Sequence, residues 1–475
     1  MRHNLLVLAM TAASTLAHAT DPALTIYRSD SDTLFDAGNQ PIADGHAIVH
    51  ERRDIALAGG RQTVVVDGLP TMLDTEAVSI DFGAAARVLG QRVISAGDAG
   101  LLAAHRGEVV QVFGADGKPL ADGTLVAIDG NGLGVRAANG RISYVHDYVR
   151  VEFAEGSGMP GSTLQVAVDG KAGAATPMLT YPTSGLGWRA AYSALLLGDD
   201  GCRLRLDALA SIANRSGRDY AAAKLKLIAG SPNFAKYDRG PRVMMMKAAA
   251  APAPAPEGAP EQSSLGDYRA YAIEGALDLP DASVTQVPLY ASSALACERR
   301  WLYETGGAWY PPKPMLEPDA WQVGSGPVQS QLSFVAAENL PAGNLRVLTR
   351  DKDGRTELLG ENRIADVAKG RDVLVNLGVA FDLAVARERT AFKVDRAARE
   401  LDEGFRITLT NSGEIPREVS VREHPNRWRA WTLVSSSVKP AKQSPDLLEF
   451  RVAVPAGGKA TLDYAVKYHW SPNEG

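Results

Sequence analysis

The sequence predicts an all-β protein built from several antiparallel β-sandwich domains. Three observations lead there: apolar residues recur at period two in many short runs, helical periodicity is scarce, and Gly- or Asx-rich turns close the runs. Cys202-Leu204-Leu206, Leu225-Leu227, Phe405-Ile407-Leu409 and Phe450-Val452-Val454 each put apolar side chains on one face. Arg203, Arg205, Lys226, Arg406, Thr408 and Arg451 fall between them and face water, the pattern of antiparallel sheets with one wet side.

Composition agrees and narrows the class. At roughly 150 residues per domain, 475 residues make about three domains. With 45% hydrophobic and 22% charged residues, the chain is neither wholly disordered, nor collagen-like, nor a polytopic membrane protein. Fifty basic and 55 acidic residues leave a formal charge of −5, which supplies no footprint for nucleic acid and no polybasic membrane anchor.

Taken in order, residues 1–19 read as an export signal. Arg2 and His3 form a basic start, Leu5 to Leu16 an apolar stretch too short to span a bilayer, and Ala17-His18-Ala19 a small-x-small cleavage site. The mature chain is expected to begin at Thr20, without a lipoprotein anchor because no cysteine follows the cleavage site. No later apolar run approaches the ~20 residues of a membrane helix. The reading is periplasmic.

Residues 20–175 form an N-terminal β domain, with strands expected in His46 to Leu57 and Gln62 to Val66. Within it, residues of about 101–153 alternate short apolar runs with Gly/Asp/Asn turns, the signature of a small SH3-like barrel insert. Residues 176–470 form a second β region. Its Ala/Pro-rich stretch, 247–265, reads as an exposed loop, because proline fixes φ and lacks a donor. Two hairpins are expected: Leu345–Leu348 with Glu357–Leu359 across Asp351-Lys352-Asp353-Gly354, and Phe450–Val454 with Leu462–Trp470 across Pro455-Ala456-Gly457-Gly458. A faint internal echo joins Asn214-Arg215-Ser216-Gly217 and Asn411-Ser412-Gly413, each set between strands. It reads either as two related immunoglobulin-like sandwich units or as the general likeness of turns.

The mature chain has two cysteines, Cys202 and Cys297. In an oxidising compartment an even pair reads as one disulfide. Closing 95 residues, it is worth roughly 4–5 kcal/mol in the chain-entropy model. A redox thiol would need a CxxC spacing or an activating base, and the sequence offers neither.

Gly187-Trp188-Arg189-Ala190-Ala191-Tyr192 and the run from Asn214 to Gly230 resemble the hallmark stretches of an exported bacterial family filed as domain of unknown function 4139, which includes the mucoidy-inhibitor A-like proteins. Leu340-Pro341-Ala342-Gly343-Asn344-Leu345-Arg346-Val347, Leu359–Ile364 and Leu377–Asp382 resemble its most recognisable motif. The resemblance spans about residues 175–470. It implies a β-rich exported protein and supplies no catalytic residues. The coiled coil of the mucoidy-inhibitor type is absent, since no sustained heptads occur.

Motifs for chemistry are incomplete. His50-Glu51-Arg52-Arg53-Asp54 fails HExxH at its fifth position, and no GxSxG elbow occurs. Gly130-Asn131-Gly132-Leu133-Gly134 lies between strands with no helix to hold a pyrophosphate, so it reads as a turn. Asp351-Lys352-Asp353-Gly354 lacks the remaining calcium ligands, and Met244-Met245-Met246 reads as packing or loop. No metal and no cofactor are expected.

The feature with binding appeal is aromatic: Trp301 and Tyr303, then Trp309 and Tyr310. Exposed, they would stack on sugar rings or dock a partner; inward, they would belong to the core. The preferred reading is a non-catalytic envelope protein that binds or scaffolds an envelope protein or glycan. Two alternatives remain: a hydrolase or carbohydrate-active protein using acids such as Asp219, Glu361 or Asp382, and an adhesion or assembly factor pairing through an open strand edge. A cleft holding two carboxylates within about 5–10 Å would mark the hydrolase.

Overall fold

The computed structural model describes residues 19–475 except 37, 39–41, 130–131, 154–160, 199–200, 231, 233–260, 267, 308, 319–322, 473 and 475. The expected leader, Ala19 apart, lies outside the described residues. So do Met244–Met246 and most of the Ala/Pro-rich stretch. The end of that stretch is a strand rather than a loop: Glu261–Leu265, which begins where the prolines stop, pairs antiparallel with Tyr268–Ala272.

The described residues are almost entirely strand, with two short helices, Asp32–Phe35 and Asp98–Ala104. None of the described helices is long and apolar enough to cross a membrane. The chain divides into two compact units: Met1–Ala190 with Leu209–Ala291, and Ala191–Ala208 with Ser292–Gly475. Strands Leu186–Leu196, Arg203–Asn214 and Ser283–Thr305 supply residues to both.

The first unit holds a sheet in the order Glu261–Leu265, Tyr268–Ala272, Tyr220–Ala229, Ala19–Tyr27, Ala47–Arg53, Met178–Thr183, Ser79–Asp81, with Leu277–Leu279 also on Tyr220–Ala229. Ala19–Tyr27 runs parallel to Tyr220–Ala229, an exception to the antiparallel rule. Its alternation is complete: Leu24 and Ile26 point inward, as do Leu225 and Leu227 opposite. The insert forms one five-stranded sheet in the order Ile142–Val145, Gly132–Arg136, Pro119–Asp129, Val109–Phe113, Arg150–Phe153. Leu102, Val110, Val112, Leu125, Leu133, Val135 and Val145 make its own small core. Among the described residues no ladder joins its outer strands, so the expected barrel is an open sheet.

The second unit is a sandwich. One layer runs through Ser283–Thr305, Gly324–Val335, Asp372–Asp395, Glu400–Asn411, Lys459–His469 and Trp431–Ser436; the other is Arg417–Glu423, Leu447–Val454 and Lys442–Ser444. Phe405, Ile407, Leu462 and Tyr464 face Val419, Val421, Phe450 and Val452 across one continuous core. The hairpin Gly343–Arg350 with Thr356–Ile364 forms as expected, turning at Asp351–Gly354.

The second expected hairpin does not form. Leu447–Val454 pairs with Arg417–Glu423, while Lys459–His469 pairs with Glu400–Asn411 and Trp431–Ser436. Both runs are strands, but the Pro455–Gly458 connection carries the chain from one layer to the other. Alternation fixes which face is buried and says nothing about which strand is the neighbour.

Candidate functional site

Strand Ser283–Thr305 presents Cys297, Arg299, Trp301 and Tyr303 on one face at period two. Cys297 is bonded to Cys202 with 4.9 Å between Cα atoms, and its backbone N–H donates to the Cys202 carbonyl at 2.9 Å. The disulfide thus ties neighbouring strands of the second unit.

Below the disulfide the strand forks. It pairs with Gly324–Val335 from Cys297↔Phe334 to Leu302↔Gln329 and then leaves that partner. Trp301–Thr305 runs instead in parallel with Val419–Glu423. Gly324–Pro327 continues its ladder with Ala384–Arg387 alone. The wedge between the diverging strands is a cleft of about 310 Å³, lined among others by Tyr303, Glu304, Thr305, Ser325, Gln329 and Arg387. Gly326 is needed in its wall, since a Cβ there would fall 2.8 Å from the Tyr303 ring.

Arg387 anchors the cleft from beneath. Its Nε and a terminal nitrogen donate to Glu423 Oε2 at 3.1 and 2.7 Å, and that terminal nitrogen also donates to the Tyr464 hydroxyl at 3.1 Å. Tyr464 in turn donates to Glu423 at 2.5 Å, and Thr305 donates to the other carboxylate oxygen at 3.0 Å. The guanidinium lies 3.4 Å from the Phe405 ring centroid. Burial, then the Glu423 charge, raises the Tyr464 hydroxyl well above its ordinary value, so it stays a neutral donor. The fork geometry of an Arg–carboxylate pair gives this buried network direction as well as charge balance.

At the cleft's side, Glu304 accepts from His424 Nε2 at 2.9 Å, while His424 Nδ1 lies 2.6 Å from the Asp446 carbonyl oxygen. Contacts at both ring nitrogens fix the orientation of the His424 imidazole beside the cleft. The adjoining Pro445 carbonyl accepts from the Tyr310 hydroxyl at 2.8 Å and from Trp431 Nε1 at 2.7 Å.

The four aromatic candidates therefore divide. Tyr303 is buried, and Trp301 is half-buried against the core. Tyr310 is half-buried through its hydroxyl contact, whereas Trp309 is 55% exposed, three residues beyond the cleft residue Gly306. The candidate acids are not brought together. Asp219 accepts the backbone N–H of Asp281 in the first unit. Glu361 forms an exposed pair with Arg346, and Asp382 lies beside the Ser412 turn. Glu304 is the one carboxylate among the residues lining the cleft. Among the described residues no group of three or more His, Cys, Asp or Glu is placed to hold a metal.

Sequence reasoning passed over the charged groups that organise the interior. Arg387 and Glu423 occupy inward positions of otherwise apolar alternations, Leu383-Val385-Arg387 and Val419-Val421-Glu423. Glu51 and Arg53 do the same after Val49, with Glu51 held by Arg53 at 2.6 Å and Arg218 at 2.8 Å. A charge on the apolar beat was the available signal, because such a group is buried only with a partner.

Fold and site define an all-β sandwich protein whose polar cleft opens where two strands part. The family model described as Domain of unknown function (DUF4139) matches residues 178–472, and the chain belongs to that family. No curated protein matches the chain.

Proposed function

We propose that this chain is exported and works in the cell envelope by binding, with a glycan as the ligand class, rather than by turnover. The observation that carries the reading is the lining of the forked-strand cleft. Thr305, Ser325, Gln329 and Glu304 offer donors and acceptors in a space of about 310 Å³, the size of a small sugar unit and its water. Trp309, exposed just beyond Gly306, supplies the flat apolar face on which pyranose rings stack. The Arg387–Glu423 pair beneath is charge-matched, which favours a neutral, hydroxyl-rich ligand over a strongly charged one. The leader-like residues 1–19 and the Cys202–Cys297 disulfide support export to an oxidising compartment.

The test is co-sedimentation with purified peptidoglycan sacculi, followed by calorimetry with soluble glycan fragments. Binding that falls at least fivefold in both Trp309→Ala and Gln329→Ala is expected. Sacculi that leave the wild-type protein in the supernatant, or variants that bind as well as wild type, would overturn the reading.

A further inference from the structure

Most buried arginines of this protein are matched to acids, although Arg215 donates instead to the Asp36 main-chain carbonyl. Arg53 and Arg218 share Glu51; Arg389 and Arg427 share Glu403; Arg387 has Glu423. Two half-buried arginines of the second unit depart from this rule. Arg299 and Arg417 both lie against the indole of Trp301, their guanidinium carbons 5.9 and 4.4 Å from its ring centroid. Among the described residues, the one hydrogen bond of either head group is from an Arg299 terminal nitrogen to Ser330 Oγ at 3.3 Å. Arg299 Nε is covered and meets no acceptor among the described residues.

The acids of these strands point elsewhere. Strand alternation turns Glu298 and Arg300 to the opposite face, where they pair at 2.5 Å, and Glu418 reaches Arg451 at 3.8 Å. The outer face is therefore charge-matched, while at the Arg299–Arg417 end of the inner face the described residues bring two cations together and no anion. Like charges gathered at one indole, partly withdrawn from water, repel one another unless a counter-charge joins them. Burial, followed by the Arg417 charge, lowers the proton affinity of Arg299, which registers that tension. The indole holds Arg417 by its ring face and so orients the guanidinium fork.

We propose that Arg299, Arg417 and Ser330, on the platform of Trp301, form a binding site for an oxyanion, phosphate or carboxylate, carried by a ligand from outside the chain. A guanidinium fork matches the paired oxygens of either group, and the Ser330 hydroxyl adds a neutral donor. This site differs from the forked-strand cleft in residues and in ligand charge, and it stands whether or not that cleft binds glycan.

Calorimetric titration of the full mature chain with glycerol phosphate and with glucuronate, at constant ionic strength set with chloride, tests it. The two arms separate a phosphate source from a carboxylate one. Saturable binding of either is expected, with Kd raised at least tenfold in Arg417→Gln and in Arg299→Gln. Arg417→Lys keeps the charge without the fork and is expected between wild type and Arg417→Gln. Arg346→Gln, an exposed arginine elsewhere in the unit, is expected to bind as wild type. Circular dichroism establishes that each variant is folded. Absence of saturable binding in both arms, or Arg417→Gln binding like wild type, would overturn the proposal.

Discussion

Asn214 and Asn411 play the same part in the two units. Each ends a twelve-residue strand, and the next strand begins six positions later, at Tyr220 and at Arg417. Each Oδ1 accepts the backbone N–H two residues on, at 3.1 Å from Ser216 and 3.0 Å from Gly413. Each Nδ2 donates to the carbonyl four residues on, at 2.7 Å to Arg218 and 2.9 Å to Ile415. The same Nδ2 reaches a carbonyl far along the chain, Leu279 or Val454, which is the residue paired with Tyr220 or with Arg417. A proline follows in both cases, and three residues beyond the carbonyl Ala282 and Gly457 have φ of 56° and 59°. In neither unit does the strand before the asparagine pair with the strand after it, so the turn crosses between layers. The sequence echo is thus a repeated crossing, closed each time by one carboxamide that bonds main-chain groups near and far; that of Asn411 also reaches the Pro455 carbonyl at 3.2 Å.

Replacing Asn411 by alanine should cost about 1–3 kcal/mol, since buried main-chain groups lose their partner while water cannot enter. Asn214→Ala should behave alike. Asn411→Asp should cost more, because an acceptor replaces the donor that the carbonyls of Ile415 and Val454 require. Urea unfolding of each variant measures this, and an unchanged midpoint in Asn411→Asp would refute the role.

The disulfide should stabilise the second unit. Converting both Cys202 and Cys297 to serine removes a 95-residue closure, for an expected loss of about 4–5 kcal/mol in the chain-entropy model. Thermal unfolding with and without reductant should show a lower midpoint for the reduced protein, and no effect of reductant on the double variant.

Stability should depend on Glu51 in a pH-dependent way. Burial alone would raise its carboxyl, but the adjacent Arg218 and Arg53 guanidiniums override it and hold it below the ordinary 4.5. A depressed folded value means the carboxylate stabilises fully above 4.5, and the contribution disappears as pH falls through the folded value. Glu51→Gln should lose about 3–5 kcal/mol at neutral pH, leaving Arg53 and Arg218 without their anion. The gap between wild type and variant should narrow on acidification well under 4.5. A gap constant with pH would show that the charge is not what matters.

Glu403→Gln should destabilise the second unit by about 3–5 kcal/mol, because it strips the acid from two arginines at once. Arg389 Nε donates to it at 3.0 Å and the buried Arg427 Nε at 2.7 Å. In a double-mutant cycle, Glu403→Gln combined with Arg427→Met should cost less than the sum of the single changes.

By itself the sequence determined the β class, the inward face of the strongly alternating strands, the disulfide partners and the family. These follow from local rules: side chains alternate along any extended chain, and two cysteines allow one bond. Leu462, Tyr464, Val466, Tyr468 and Trp470 are accordingly all buried, as their rhythm demands. Apart from the local hairpin across Asp351–Gly354, which strands neighbour one another was decided only in three dimensions. Pro455–Gly458 reads as a hairpin turn and serves as a crossing, because the Asn411 carboxamide, 43 residues away in sequence, holds the Val454 carbonyl. The cleft exists because one strand changes partners after Leu302, and the Arg299–Arg417 pair exists because a parallel ladder sets residues 118 positions apart around one indole. Such neighbours depend on contacts distant along the chain, and alternation carries no record of them.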